Sequence, residues 1–207
     1  MRSRRADKPV IVMDVGGVLV NFDLKPLFAT LSKRLGKKVR VPSAVTLLDK
    51  LFSPVQTGKV HFDHLIPALN AFLGVSMAPR FWRDLSCSIF TGEVPGMKET
   101  LLQLKADFFL VALTNTIDVH WKFLLKSYEI LNLFDGYVVS YKEGVAKPNP
   151  AIYQAVVERY CDGRLPYFHT DDTPKYVKAA RRMGWRSEVF RSPLQLKTQV
   201  LRAQIAK

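Results

Sequence analysis

One stretch narrows the folds open to this chain more than any other: IVMDVGGVLV, Ile11–Val20. Its Val and Ile content and its length read as a buried strand over Pro9–Met13, yet Asp14 stands inside the run. An unpaired carboxylate in an apolar interior is costly. The strand must therefore end at Asp14 and hand it to other polar groups. The pair Gly16–Gly17 then lets the chain turn tightly.

The rest of the chain repeats this motif of short apolar run followed by helix. Strand signals fall at Phe108–Leu113, Gly136–Ser140, Leu165–Thr170 and Ser187–Phe190. Helices are predicted between them, starting near Ile117, Pro150 and Pro174. A last helix follows, with Ser192 as cap and Pro193 at its first position. Such alternation implies an α/β fold: a doubly wound parallel sheet with helices on both faces. Residues 21–92 break the alternation. There the pattern is helical throughout, with Asp23 and Ser43 as candidate caps, and GEVPG (Gly92–Gly96) reads as a hinge or turn. The expected organisation is a core of residues 1–20 and 93–207 carrying an inserted helical cap, 21–92.

Composition excludes several classes. With 48% hydrophobic residues in 207, a packed core is affordable and disorder is not indicated. No apolar run approaches the roughly 20 residues of a membrane span. The basic start followed by a short apolar run suggests a signal peptide only superficially, because Asp14 interrupts it and no small-residue cleavage site follows. Cys87 and Cys161 make neither a disulfide framework nor a metal spacing, so we expect a cytoplasmic protein with no membrane partner. The net charge of +13 is spread along the chain, with clusters at Lys33–Arg40 and Arg181–Arg186. Such a surface favours anions, but no nucleic-acid-binding signature accompanies it.

In a parallel sheet of this kind the site lies beyond the carboxyl ends of the strands. Asp14 stands there, as do Thr114, Asn115 and Thr116 after the second strand of the core, and Asp171 and Asp172 after LPYFHT; Lys147 precedes the helix at Pro150. Carboxylates suit Mg²⁺; a lysine and hydroxyls suit phosphoryl oxygens. Four ordered motifs, MDVGGVLV, ALTNT, GVAKPNPAIY and FHTDDTPKYVKAA, resemble those of the haloacid dehalogenase-like superfamily, in its branch with a small helical cap; the start is similar to that of sugar-phosphate phosphatases.

That resemblance implies a Rossmann-like core and a Mg²⁺-dependent phosphatase acting on small phosphorylated substrates. It implies Asp14 as the nucleophile that becomes an aspartyl-phosphate, and Thr114 and Asn115 as phosphoryl contacts. Lys147 neutralises the phosphoryl group and Asp14, and Gly17 lies beneath the phosphate. Asp14, the Gly16 carbonyl, Asp171 and Asp172 are the implied metal ligands. Lys59, in QTGKV, is a candidate to reach from the cap to a substrate anion.

One position departs from the family pattern. Phosphatases of the family usually carry a second Asp two residues after the nucleophile, where this chain has Gly16; some members, including sugar-phosphate phosphatases, share a glycine there. General acid–base help is worth about 10²–10⁴ in rate, so its loss bears directly on turnover. Asp23 is either a displaced acid–base group or a helix cap. Three alternatives remain open at the level of sequence. They are a catalytically weak member that binds phosphorylated ligands, a metal-independent dehalogenase using Asp14 on carbon–halogen bonds, and a nucleic-acid binder. His120 is a candidate to face substrate, and His61 with His64 forms either a metal-binding or a solvated pair. Phe81, Trp82 and Trp121 read as core. Oligomeric state is not encoded in any pattern we recognise.

Overall fold

The computed structural model describes residues 8–36 and 52–205. At its centre five parallel strands form one sheet. With strands numbered along the chain, β1 (Val10–Met13) lies in the middle, between β4 (Phe109–Thr114) and β6 (Phe168–Asp171). β5 (Gly136–Val139) and β7 (Ser187–Val189) form the edges, giving the order β5-β4-β1-β6-β7. The doubly wound α/β arrangement expected from the alternating pattern is therefore the observed one.

β1 is buried on both faces, its side chains alternating between the two sides of the sheet. Ile11 and Met13 pack with Met97 and Leu101 of α4 (Met97–Lys105) and with Trp121 and Leu124 of α5 (Asp118–Ser127). Val10 and Val12 point the other way, towards Ile152, Tyr153 and Val156 of α7 (Pro150–Tyr160). Fully burying such side chains contributes about 1.5–3 kcal/mol each, and Ile11, Val12 and Met13 are wholly inaccessible. α7 begins as expected: Asn149 Oδ1 accepts the Ala151 N–H at 3.0 Å, with Pro150 at the first helical position. α8 (Pro174–Arg182) follows β6, and α9 (Pro193–Ile205) closes the fold, its Ser192 Oγ accepting the Gln195 N–H at 3.2 Å.

Two short strands were not legible in the sequence. β2 (Val20–Phe22) pairs antiparallel with β3 (Phe90–Glu93), with an irregularity between Asn21 and Phe22. The stretch expected to be a hinge at Gly92 is thus partly a strand. Neither strand carries an alternating pattern; the chain is extended there because it leaves and re-enters the core side by side. Backbone bonds from Asp23 N–H to Ile89 O (2.8 Å) and from Val94 N–H to Leu19 O (2.8 Å) bracket the ribbon.

Between β2 and β3 the described elements are helical. α1 (Lys25–Leu35), a 3-10 turn at Phe62–Leu65, α2 (Ile66–Leu73) and α3 (Pro79–Cys87) bury Leu31, Phe62, Leu69, Trp82 and Leu85 against one another. The helix expected after Ser43 lies outside the described residues apart from its final Phe52. Ile117, on the loop after β4, joins this cluster and seats the helical segment over the sheet's carboxyl end. Trp121 belongs to the main core, as expected. α6 (Ser140–Glu143) is a single turn after β5. No helix among the described residues is long and apolar enough to cross a membrane.

Candidate active site

β1, β4 and β6 end at the same level, and their last residues meet. Asp14 follows β1, and its N–H donates to the Thr170 carbonyl of β6 at 3.0 Å. This bond extends the strand ladder just far enough to hold the carboxylate at the rim. Asp14 Oδ1 accepts the Val15 N–H at 2.7 Å and lies 3.0 Å from Lys147 Nζ. The same ammonium donates to Asp171 Oδ2 at 2.6 Å. All three side chains are buried. Carboxylate oxygens of Asp14, Asp171 and Asp172 lie within 4.8 Å of one another.

Lys147 is fixed from several sides. Its N–H donates to Asn115 Oδ1 at 2.7 Å, and Asn115 Nδ2 donates back to the Lys147 carbonyl at 2.9 Å. The Lys147–Pro148 peptide is cis. Nζ lies 4.9 Å from the centre of the Tyr176 ring, and the Tyr176 hydroxyl accepts from Asn115 Nδ2 at 3.3 Å. Asn115 therefore holds the lysine, whatever else it touches. Tyr176 went unnoticed in the sequence; the available signal was its place in the first turn of the helix after Asp171–Asp172. Ser140 was also missed. Its Oγ accepts the Thr116 N–H at 2.9 Å and donates to the Thr116 carbonyl at 3.1 Å, clamping the loop after β4.

Asp171 Oδ1 accepts the Thr173 N–H at 2.8 Å, and Thr173 Oγ1 donates to Asp172 Oδ1 at 3.0 Å. Both carboxylates are thereby oriented towards Asp14. The two glycines after Asp14 divide the work. Gly17 has φ +72°, and a Cβ there would fall 2.1 Å from Asp172 Oδ2; only glycine permits both the turn and the close approach. Gly16 is under no such constraint. A Cβ would meet only the Phe22 ring, at 3.6 Å. The expectation that both glycines serve the turn is thus corrected for Gly16.

The electrostatics are lopsided: three carboxylates face one ammonium. Burial pushes the Asp14 carboxyl up to about 7. Lys147 pulls it down and the Asp171 charge adds to the rise. Burial likewise raises Asp172, against the pull of the Thr173 hydrogen bond. Burial alone would lower Lys147, but the charges of Asp14 and Asp171 overcome it and hold the ammonium protonated. Lys147 is thus secured while Asp14 remains under-compensated, as expected when one cation serves several buried anions. A hard divalent cation among these oxygens would redress the excess, and oxygen donors are what Mg²⁺ takes. The residues present fit such an ion.

Beside the charged cluster opens a cavity of about 410 Å³. Val15, Gly16, Thr114, Asn115 and Thr116 form its polar end, and the helical segment forms its apolar walls. His120 lines it. Trp82, read as core, is buried and also lines it. Lys59 is exposed on the turn whose Gly58 packs against the Tyr141 carbonyl. The structure does not bring Lys59 into the Asp14 cluster. Asp23 is a cap: its Oδ1 accepts the Lys25 N–H at 2.9 Å. His61 Nε2 lies 3.0 Å from Asp118 on α5, tying the helical segment to the core, and the His61 and His64 rings meet edge to face.

The match to the model of the haloacid dehalogenase-like hydrolases runs over residues 8–184. The chain belongs to that family. None of the curated proteins matches this sequence. Among solved structures, a haloacid dehalogenase family enzyme of Bacteroides thetaiotaomicron superimposes with a TM-score of 0.79 at 23% identity, over 90% of this chain and 95% of that one. The same enzyme has also been solved in complex with magnesium and inorganic phosphate. A HAD-like hydrolase of Porphyromonas gingivalis gives 0.76 at 22% identity, over 95% and 99%. An L-2-haloacid dehalogenase of Xanthobacter autotrophicus gives 0.58 at 18%, over 87% and 76%. At these identities the likeness is one of fold.

Proposed function

We propose that this protein is a Mg²⁺-dependent phosphatase of small phosphomonoesters, with residues 21–92 acting as a cap over the site. The observation that carries the reading is the meeting of Asp14, Asp171 and Asp172, whose carboxylates cluster within 4.8 Å while a single ammonium, Lys147, bonds only two of them. An anionic nucleophile facing an anionic phosphate needs nearby positive charge, and such a cluster is poised to gain it. The magnesium–phosphate complex of the Bacteroides enzyme is consistent with this reading.

In this reading Asp14, Asp171, Asp172 and the Gly16 carbonyl would hold the ion, which would offset charge on the carboxylates and the phosphoryl oxygens. An Asp14 oxygen attacks phosphorus, the bond to the leaving oxygen breaks, and an aspartyl-phosphate forms on Asp14. Lys147, held by Asn115 and Tyr176, stabilises the phosphoryl oxygens as charge shifts onto them. Thr114, at the end of β4, offers its hydroxyl to the same group. Water then attacks the aspartyl-phosphate, releasing inorganic phosphate and restoring Asp14. Position 16 supplies no carboxylic acid, so the leaving group departs without a proton from that side.

The test is hydrolysis of a panel of phosphomonoesters with Mg²⁺ and with EDTA. Release of phosphate that stops in EDTA and returns with Mg²⁺ is the expected result. Activity undiminished in EDTA, with halide released from 2-haloacids, would replace this reading with a dehalogenase.

A further inference from the structure

The cavity beside Asp14 bears on which ester the site takes. A phosphoryl group seated at Asp14 must project its leaving group away from the strand ends, and Val15, Gly16 and Thr114 open directly into this space. Beyond them the walls are aromatic and aliphatic: Phe22, Phe28, Phe62, Leu69, Trp82 and Phe90. A cavity of about 150 Å³ takes a benzene, so about 410 Å³ holds one or two fused rings with a substituent.

The walls are poor in partners for a polyol. The polar side chains are few and mostly at the Asp14 end: Gln56, Thr114 and Thr116 line the cavity, the Asn115 amide is committed to Lys147 and Tyr176, and the Ser86 hydroxyl already donates to the Arg83 carbonyl at 2.8 Å. Each sugar hydroxyl buried without a partner would cost about 1–3 kcal/mol. His120 Nε2 is buried with no hydrogen bond among the described residues, while its ring stands edge-on to Phe90 at 5.2 Å. Burial also lowers the His120 pKa to about 4, so the imidazole is neutral at working pH.

Gly16 points the same way for an independent reason. With no acid beside the nucleophile, the leaving oxygen must carry its own negative charge. A phenol, with a pKa of about 10, does this far more readily than an alcohol. We propose that the substrate is an aryl phosphate, whose ring enters the apolar cavity between the helical segment and the sheet. This rests on the phosphatase reading for the reaction, but the pocket's preference for an aromatic ring stands on the cavity alone.

The experiment has a kinetic and a binding arm. In the first, kcat/KM is compared for 1-naphthyl phosphate, octyl phosphate and glucose 6-phosphate. The aryl ester should lead both others by at least about 10²-fold, the range acid–base help normally supplies. In the second, naphthylmethylphosphonate, which cannot be hydrolysed, is titrated against intrinsic fluorescence, with Trp82 in the cavity wall as reporter. It should quench, and bind at least about tenfold more tightly than a sugar phosphonate. Equal rates on sugar and aryl esters, or an octyl ester as good as the aryl one, would overturn the proposal. Phosphonate binding with no turnover of any phosphomonoester would keep the aryl pocket and remove the phosphatase reading. Sugar-phosphate turnover without aryl binding would do the reverse.

Discussion

Two walls meet at Asp14, and they are made of opposite material. One is the carboxyl edge of the sheet, where Lys147 bonds Asp14 and Asp171, and Asn115 grips Lys147 by its backbone. The other is the inner face of the helical segment, where Phe62, Leu69 and Trp82 line open space. The first wall is anchored on buried strands and held by bonds with little slack. The second is a hydrophobic cluster that meets the sheet through few groups, among them Ile117 and the His61–Asp118 pair. Chemistry needs fixed charge, and choice of substrate needs shape. In the proposed reaction the two tasks fall to different parts of the chain.

The sharpest break of the charged wall is Asp14→Asn. Turnover should fall at least about 10⁴-fold, the scale seen when a nucleophile is removed. The fold should survive, since a neutral amide removes one of three crowded carboxylates; a thermal melt alongside the kinetics checks this. Gly16→Asp tests the boundary between the walls. A Cβ fits there, with its nearest neighbour the Phe22 ring at 3.6 Å. Turnover of a poor leaving group should rise by up to about 10²-fold, with little change for an aryl ester, and any burst of leaving-group release should shrink. Gly17→Ala strikes the charged wall by sterics. The residue would sit at φ +72° with its Cβ 2.1 Å from Asp172 Oδ2. The backbone penalty is about 1–2 kcal/mol, and the displaced carboxylate should weaken the stabilisation by Mg²⁺ by about tenfold in affinity, read as a melting-temperature titration.

The apolar wall should reveal itself most gently, through pH. His120 has a folded-state pKa of about 4 against an ordinary 6.5. As pH falls below 6.5 the unfolded chain takes the proton first, so stability falls between about pH 6.5 and 4. A shift of that size corresponds to about 3 kcal/mol at its limit. His120→Leu should remove this component of the acid-side loss. His169, held near 3 by burial and by Lys147, loses stability in the same direction in both proteins. The difference between the two denaturation series therefore isolates His120.

Much of the charged wall was readable because it is local. Asp14 ends an apolar run, Thr114 and Asn115 end another, and Asn149–Pro150 marks where a helix starts after Lys147. Each signal sits within a few residues of what it places. The misses share the opposite property. β2 and β3 are strands only because the two crossings of the chain lie side by side, 70 residues apart in sequence. Tyr176 and Ser140 matter through what they touch across the sheet edge.

By itself, the sequence determined the parallel sheet, its buried first strand and the acidic rim, since period, capping and the cost of a buried carboxylate are properties of short segments. It also determined that position 16 carries no acid. Only the tertiary structure decided that three carboxylates cluster beside one ammonium that bonds two of them, that Gly17 must be glycine while Gly16 need not be, and that Asp23 caps a helix. It alone showed an apolar chamber beside Asp14. Those facts are distances between groups far apart in the chain, and packing of the helical segment on the sheet sets them.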